Sequence, residues 1–142
     1  MKLAYIDSCV WISWIEGLAA YQETLNDAMR QLSQDGWTFC ISEAVVLEVL
    51  VNPLKRQQDH LVETYRKLFE RTRNLRIHVS VFKEALSVAY TENLRAMDAI
   101  HVTIACHHGC DRFVTTDPHF RHLKLIHSQW INLVESAKAS QE

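Results

Sequence analysis

The chain has 142 residues, 48% of them apolar and 23% charged, with only three glycines and two prolines. That is the size of one ordinary domain, able to bury a core without disulfides or a structural metal, and it excludes disorder, collagen-like repeats and a linker-rich architecture. A formal charge of −2 speaks against a broad phosphate-binding surface, although setting aside the four acids singled out below leaves +2.

Leu3 to Ile6 form a short apolar run ending in Asp7-Ser8, which predicts a buried strand feeding a helix from Cys9 to Glu16 that Gly17 ends. This apolar opening resembles a signal sequence only superficially. Asp7 and Ser8 divide it, no small-residue cleavage site follows, and no run reaches the ~18 apolar residues of a membrane span. A cytoplasmic protein with no membrane association is expected. Cys9, Cys40, Cys106 and Cys110 show no framework spacing, so reduced and mostly buried thiols are expected.

An amphipathic helix is predicted from Tyr21 to Gln34, with Leu25, Ala28, Met29 and Leu32 on one face, followed by a strand over Trp37 to Ile41. Ser42 reads as the N-cap of a helix that Pro53 terminates, and Leu61 to Arg71 reads as the next helix. Basic residues gather here, at Lys55, Arg56, Arg66, Lys67, Arg71, Arg73 and Arg76, a cluster that a solvated helix face also explains. A third strand is predicted over Leu75 to Val79, a helix capped by Ser80 through Ala89, and a helix from Met97 to His108 closed by Gly109. Arg112 to Thr115 and Lys124 to His127 read as the last two strands. Strands separated by helices in this rhythm predict an α/β fold, a mainly parallel sheet covered on both faces. One domain over residues 1–134 is expected, with 135–142 as a frayed tail.

In such sheets, ligands bind beyond the carboxyl ends of the strands. The pattern puts Asp7 after the first strand, Asp117 after the fourth and Asp98 at the opening of a helix. Taken singly, Asp7 and Asp98 could be helix caps, and Asp117 before Pro118 a turn starter. Glu48 is different, being the only charged residue in the run AVVLEVLV. A carboxylate inside a helix apolar nearly all round costs on the order of 2 to 5 kcal/mol unless compensated. A buried ion pair could compensate it, but Ala44, Val45, Val51 and Asn52 occupy the helical neighbour positions. Four converging carboxylates would repel one another, whereas Mg²⁺ or Mn²⁺ prefers such hard oxygen ligands, so the set predicts a metal and, with it, phosphodiester hydrolysis.

With their order along the chain, these segments resemble the PIN-domain nucleases, in particular the small VapC-type toxins of toxin–antitoxin modules. YIDSCVWI is similar to the family's first strand with its acidic residue and following Ser or Thr, here Asp7 and Ser8. ISEAVVLEVL matches the second motif through Ser42 and Glu48, MDAIHVTIAC the third through Asp98 and Ala99, and FVTTDPHF the fourth through Thr115, Asp117 and Phe120. The resemblance spans Leu3 to about Ile126. It implies a three-layer α/β/α sandwich, Mg²⁺- or Mn²⁺-dependent endoribonuclease activity, and Asp7, Glu48, Asp98 and Asp117 as the metal-holding catalytic acids. It further implies Ser8 and Thr115 as supporting residues, and commonly a homodimer blocked by a small antitoxin. The helix Tyr21 to Gln34 is longer than a minimal toxin of this kind needs.

Other readings are weaker. Cys106, His107, His108 and Cys110 lack the second ligand pair that a structural zinc site needs, and His119 and His122 read as surface-loop residues within reach of a phosphate. The Trp11, Ile12, Trp14 and Ile15 helix is apolar on more than one face, through core packing or through a partner surface at one of the tryptophans. An Asp-based phosphohydrolase wants a second Asp two residues after Asp7, where Cys9 stands, and a receiver domain wants a lysine after a late strand. A PIN-fold RNA-processing or interaction protein without a toxin role is the remaining alternative.

Overall fold

The computed structural model describes residues 1–134, and the tail expected over 135–142 lies outside the described residues. In chain order the elements are β1 (Lys2–Ile6), α1 (Ser8–Glu16), α2 (Ala19–Gln34), β2 (Trp37–Ser42), α3 (Glu43–Lys55), α4 (Asp59–Phe69), β3 (Arg73–Leu75), α5 (Val81–Glu92), α6 (Ala96–His107), β4 (Arg112–Thr115) and β5 (His127–Trp130), with a 3-10 turn at Pro118–Phe120. All strand pairs are parallel, in the order β3-β2-β1-β4-β5. Helices cover both faces, giving the expected α/β/α sandwich.

Strand alternation decides what each layer packs against. Ala4 pairs with Phe39, so Ala4, Ile6, Trp37, Phe39 and Ile41 share one face, beneath Trp11 of α1 and Phe69 of α4, whose rings meet edge to face at 5.3 Å. Tyr5 and Phe113 point the other way and stack at 5.5 Å, with His101 of α6 at 5.8 Å from Tyr5. β1 is central and its residues from Ala4 to Ile6 are fully buried, which is why its run is continuously apolar rather than alternating.

The two edge strands lie away from their predicted places. β3 occupies Arg73–Leu75 rather than 75–79, and β5 occupies His127–Trp130 rather than 124–127. An edge strand needs one hydrogen-bonding neighbour and only partial burial, so an apolar run is a poor guide to it. β3 buries Leu75 alone, while the apolar residues that attracted the prediction, such as Ile77 and Ile126, pack on the core from irregular segments. The helix expected to stop at Pro53 continues to Lys55, because a proline in the last turn removes only one bond. Neither Ser42 nor Ser80 caps its helix through the side chain. Ser80 Oγ lies 2.9 Å from His78 Nδ1, and Ser42 is engaged in the interior as described below.

Trp11 is a core residue at 1% exposure, whereas Trp14 is half-buried and donates its Nε1–H to Asn26 Oδ1 at 2.6 Å. At the end of α1, the Gly17 N–H donates to Ser13 O at 3.1 Å, and a Cβ on Gly17 would stand 2.2 Å from that oxygen. Gly17→Ala should therefore cost about 1–3 kcal/mol in chemical denaturation. A loss below roughly 0.5 kcal/mol would show that the α1–α2 turn shifts freely instead.

Candidate active site at the carboxyl end of the sheet

Successive strands are added to one side of β1 as far as β3 and then to its other side from β4, so the crevice beyond β1 and β4 is the topological switch point of the sheet. Asp7 stands there as the first residue past β1. Its N–H donates to Val114 O of β4 at 3.0 Å, and its carbonyl accepts from Val10 N–H at 3.0 Å, which locks the strand-to-helix corner. The carboxylate is 4% exposed. Oδ1 accepts from Ser8 N–H at 2.9 Å, and Oδ2 accepts from Thr115 Oγ1 at 3.0 Å and Cys9 Sγ at 3.1 Å. The capping reading of Asp7 is thus geometrically correct, but a cap alone gives no reason for such burial.

Thr115 links two of the predicted acids. While its hydroxyl donates to Asp7, its oxygen accepts from Asp117 N–H at 3.0 Å. Asp117 also behaves as the expected turn starter, with Oδ1 accepting from His119 N–H at 2.9 Å and 2.7 Å from His119 Nδ1. His119 therefore orients an acid, a closer role than that of a surface-loop histidine.

Asp98 lies in the first turn of α6, after Arg95 at the N-cap, so it faces the site without capping the helix. Burial raises its carboxyl above the ordinary range, and the charges of Asp7 and Asp117 raise it further, against the opposing influence of His101 and Arg95. Asp7 is raised as well, first by burial, with His101 and the hydrogen bonds from Cys9, Thr115 and Ser8 lowering it. Burial also pushes the Cys9 thiol up to about 12, next to the Asp7 charge, so the sulfur remains a donor.

Glu48 departs from expectation. It is half-buried rather than enclosed, because α3 turns one side to solvent and Leu47 beside it is 64% exposed. A partner is also present, supplied from a distant element: His101 Nε2 of α6 contacts Glu48 Oε1, and Ser8 Oγ donates to the same oxygen at 2.9 Å. The hydrogen bond from His101 holds its carboxyl below the usual range, against the opposing effect of burial. Local neighbours in α3 could not reveal this, since the pair is 53 residues apart in sequence. His101 was hidden among eight histidines. The available signal was its spacing, three residues after Asp98 and so on the same helix face.

The donor set consists of carboxylate oxygens and hydroxyls, the kind that Mg²⁺ or Mn²⁺ accepts. An aspartate whose ionisation is opposed by the charges of two others marks a place where a cation is favoured. Among the described residues, no three His, Cys, Asp or Glu groups close around one point, so water would complete much of an ion's shell, as is usual for Mg²⁺. The residues fit a hydrated divalent ion, not a dry cage. The suspected zinc ligands do other things: His108 Nε2 lies 2.6 Å from Arg76 O, and the His107 ring stacks on His78 at 5.7 Å.

Comparison with protein families matches the PIN domain over residues 4–125. Comparison with curated protein sequences finds no match. Among solved structures, VapBC2 from Rickettsia felis bound to a promoter DNA fragment aligns with TM-score 0.75 at 12% identity, covering 92% of this chain and 100% of that one. VapBC from Salmonella typhimurium, also bound to DNA, gives 0.68 at 14% identity, with 93% and 100% covered. A toxin–antitoxin complex from Klebsiella pneumoniae gives 0.66 at 17%, with 87% and 94% covered.

The raised Asp7 carboxyl has a measurable consequence. A carboxyl raised on folding contributes stability below its unfolded value, about 3.9, and loses it as pH rises through the folded value. With divalent ions chelated, Asp7→Asn should therefore melt higher than the parent at neutral pH, and the advantage should vanish as pH falls toward the ordinary carboxylate range. Glu48 contributes with the opposite sign, its stability being lost as pH falls. An Asp7→Asn protein that melts lower than the parent at neutral pH would contradict the assignment.

Proposed function

The chain belongs to the PIN domain family, and from that premise we propose that it is a Mg²⁺- or Mn²⁺-dependent endoribonuclease, the toxin of a toxin–antitoxin pair. The observation that carries the enzymatic part is the opposition that the charges of Asp7 and Asp117 offer to the ionisation of Asp98 at the switch point, with the Thr115 hydroxyl tying Asp7 to Asp117.

In this reading Asp7, Asp98 and Asp117 hold the ion, with Glu48 as the fourth acid. When bound, such an ion acidifies a water and withdraws charge from the phosphate and the departing oxygen. Thr115 fixes the Asp7 oxygen it bonds and the Asp117 backbone together, so the two carboxylates keep their spacing as charge changes. Ser8 does the same between Asp7 and Glu48, through its N–H and its hydroxyl. Arg95, exposed at the N-cap of α6 and electrostatically coupled to Asp98, supplies positive charge beside the acids where an RNA phosphate would lie. The choice of RNA over DNA follows the family likeness.

The partner part of the reading rests on the structural neighbours, which include toxin–antitoxin complexes. A homodimer is proposed on family likeness alone. Ile12, Trp14 and the exposed Leu47 and Leu54 on α1 and α3 provide apolar surface for partner contact. Among the described residues no helix is long and apolar enough to cross a membrane.

Two experiments test this function. Asp7→Asn and Asp98→Asn should each lower Mn²⁺-dependent RNA cleavage by more than the roughly 100-fold typical of losing an outer hydrogen-bond partner of a metal ligand, with circular dichroism unchanged. Full cleavage by either variant, or in EDTA, would refute the metal mechanism. Expression of the intact chain should arrest growth and Asp98→Asn should not, with the product of the adjacent upstream gene relieving the arrest. Normal growth with an active enzyme would refute the toxin role while leaving the nuclease in place.

A further inference from the structure

Behind Glu48 lies a line of buried polar groups that the proposed chemistry does not use. Ser42 Oγ is 2.8 Å from Tyr5 Oη, Tyr5 Oη is 2.8 Å from His101 Nδ1, and His101 Nε2 reaches Glu48 Oε1. Ser42 and Tyr5 are fully buried and His101 is 1% exposed, so each polar hydrogen on the line must find its acceptor within it.

With a neutral imidazole at His101, the direction of the line follows. An ionised carboxylate only accepts, so Nε2 carries a proton and donates it toward Glu48. In a neutral imidazole Nδ1 is then the acceptor, so the Tyr5 hydroxyl must donate to it. The Tyr5 oxygen in turn accepts from the Ser42 hydroxyl. With His101 neutral, the hydrogen bonds run one way, from β2 through β1 and α6 to α3. Ser42 serves this line instead of capping α3, a departure from the usual use of a serine before a helix.

Glu48 has a long side chain and is half exposed. Among the described residues, both bonds it accepts, from His101 and from Ser8, fall on Oε1, which leaves Oε2 for another ligand. We propose that Tyr5 and His101 are positioning residues that fix Glu48 by one oxygen and present the other to the cation held by the three aspartates. This rests on the cation-site reading above, but the polarity of the line can be tested without it.

In the full chain, ¹⁵N-labelled and stripped of metal at neutral to mildly basic pH, the His101 imidazole should show a protonated Nε2 and an unprotonated Nδ1. Tyr5→Phe should leave the proton on Nε2 and shift the Nδ1 resonance, which loses its hydrogen-bond donor. His101→Ala should lower Mn²⁺ affinity by about 10- to 100-fold and lower kcat with little change in KM for RNA. His101→Gln, whose amide nitrogen can donate to Glu48, should recover most of the affinity. A wild-type His101 with its proton on Nδ1, or with both nitrogens protonated, overturns the proposal. So does a His101→Ala protein that binds Mn²⁺ as the parent does. If the parent itself neither binds Mn²⁺ nor cuts RNA, the function above has failed, and a Tyr5→Phe spectrum like that of the wild type then overturns the positioning line independently.

Discussion

The burial of one carboxylate constrains the whole site. Asp7 sits at the corner where the central strand becomes a helix, with its main chain tied to β4 and its side chain to Ser8, Cys9 and Thr115. A lone carboxylate at 4% exposure is costly unless its lone pairs are filled or a cation is near. The hydrogen bonds fill part of that need, and they come from the first turn of α1 and from the end of β4. The fold places Asp7 where the sheet is open to a ligand, and in turn Asp7 fixes the seam between β1 and β4.

The remaining acids divide into two groups with opposite electrostatics. Asp7 and Asp117 press upon Asp98, and Asp98 is raised accordingly. Glu48 is held ionised by His101 and stands at the side of the cluster. A site built this way combines acids whose charge is unfavourable without an ion with one whose charge is secured by the protein. His101, itself buried, lies between the groups and holds Glu48 down through its hydrogen bond.

Much of the fold was legible in the sequence because central elements are buried on both faces and carry continuous apolar runs, as in β1 and β4. The edges were not, since β3 and β5 are set by pairing with a neighbour and carry polar residues such as Asn74 and Gln129. At the site, Asp7, Asp98 and Asp117 could be placed from the positions of strand ends and helix starts. Glu48 was found for an imperfect reason: the helix around it looked wholly buried, whereas Leu47 is exposed. His101 and Tyr5 were missed because a histidine or tyrosine in an apolar segment looks like core until tertiary structure brings it against a carboxylate. Ser42 was misassigned because sequence shows where a capping residue stands but not which partner its hydroxyl chooses.

The most direct measurement is the proton balance of Mn²⁺ binding at mildly acid pH, by calorimetry in buffers of different ionisation enthalpy. If three aspartates share one cation, binding must drive out protons held on the raised carboxyls. Release should grow as pH falls and be smaller in Asp98→Asn. Absence of Mn²⁺ binding, or binding with no proton release and no response to Asp98→Asn, would contradict a shared cation at these aspartates.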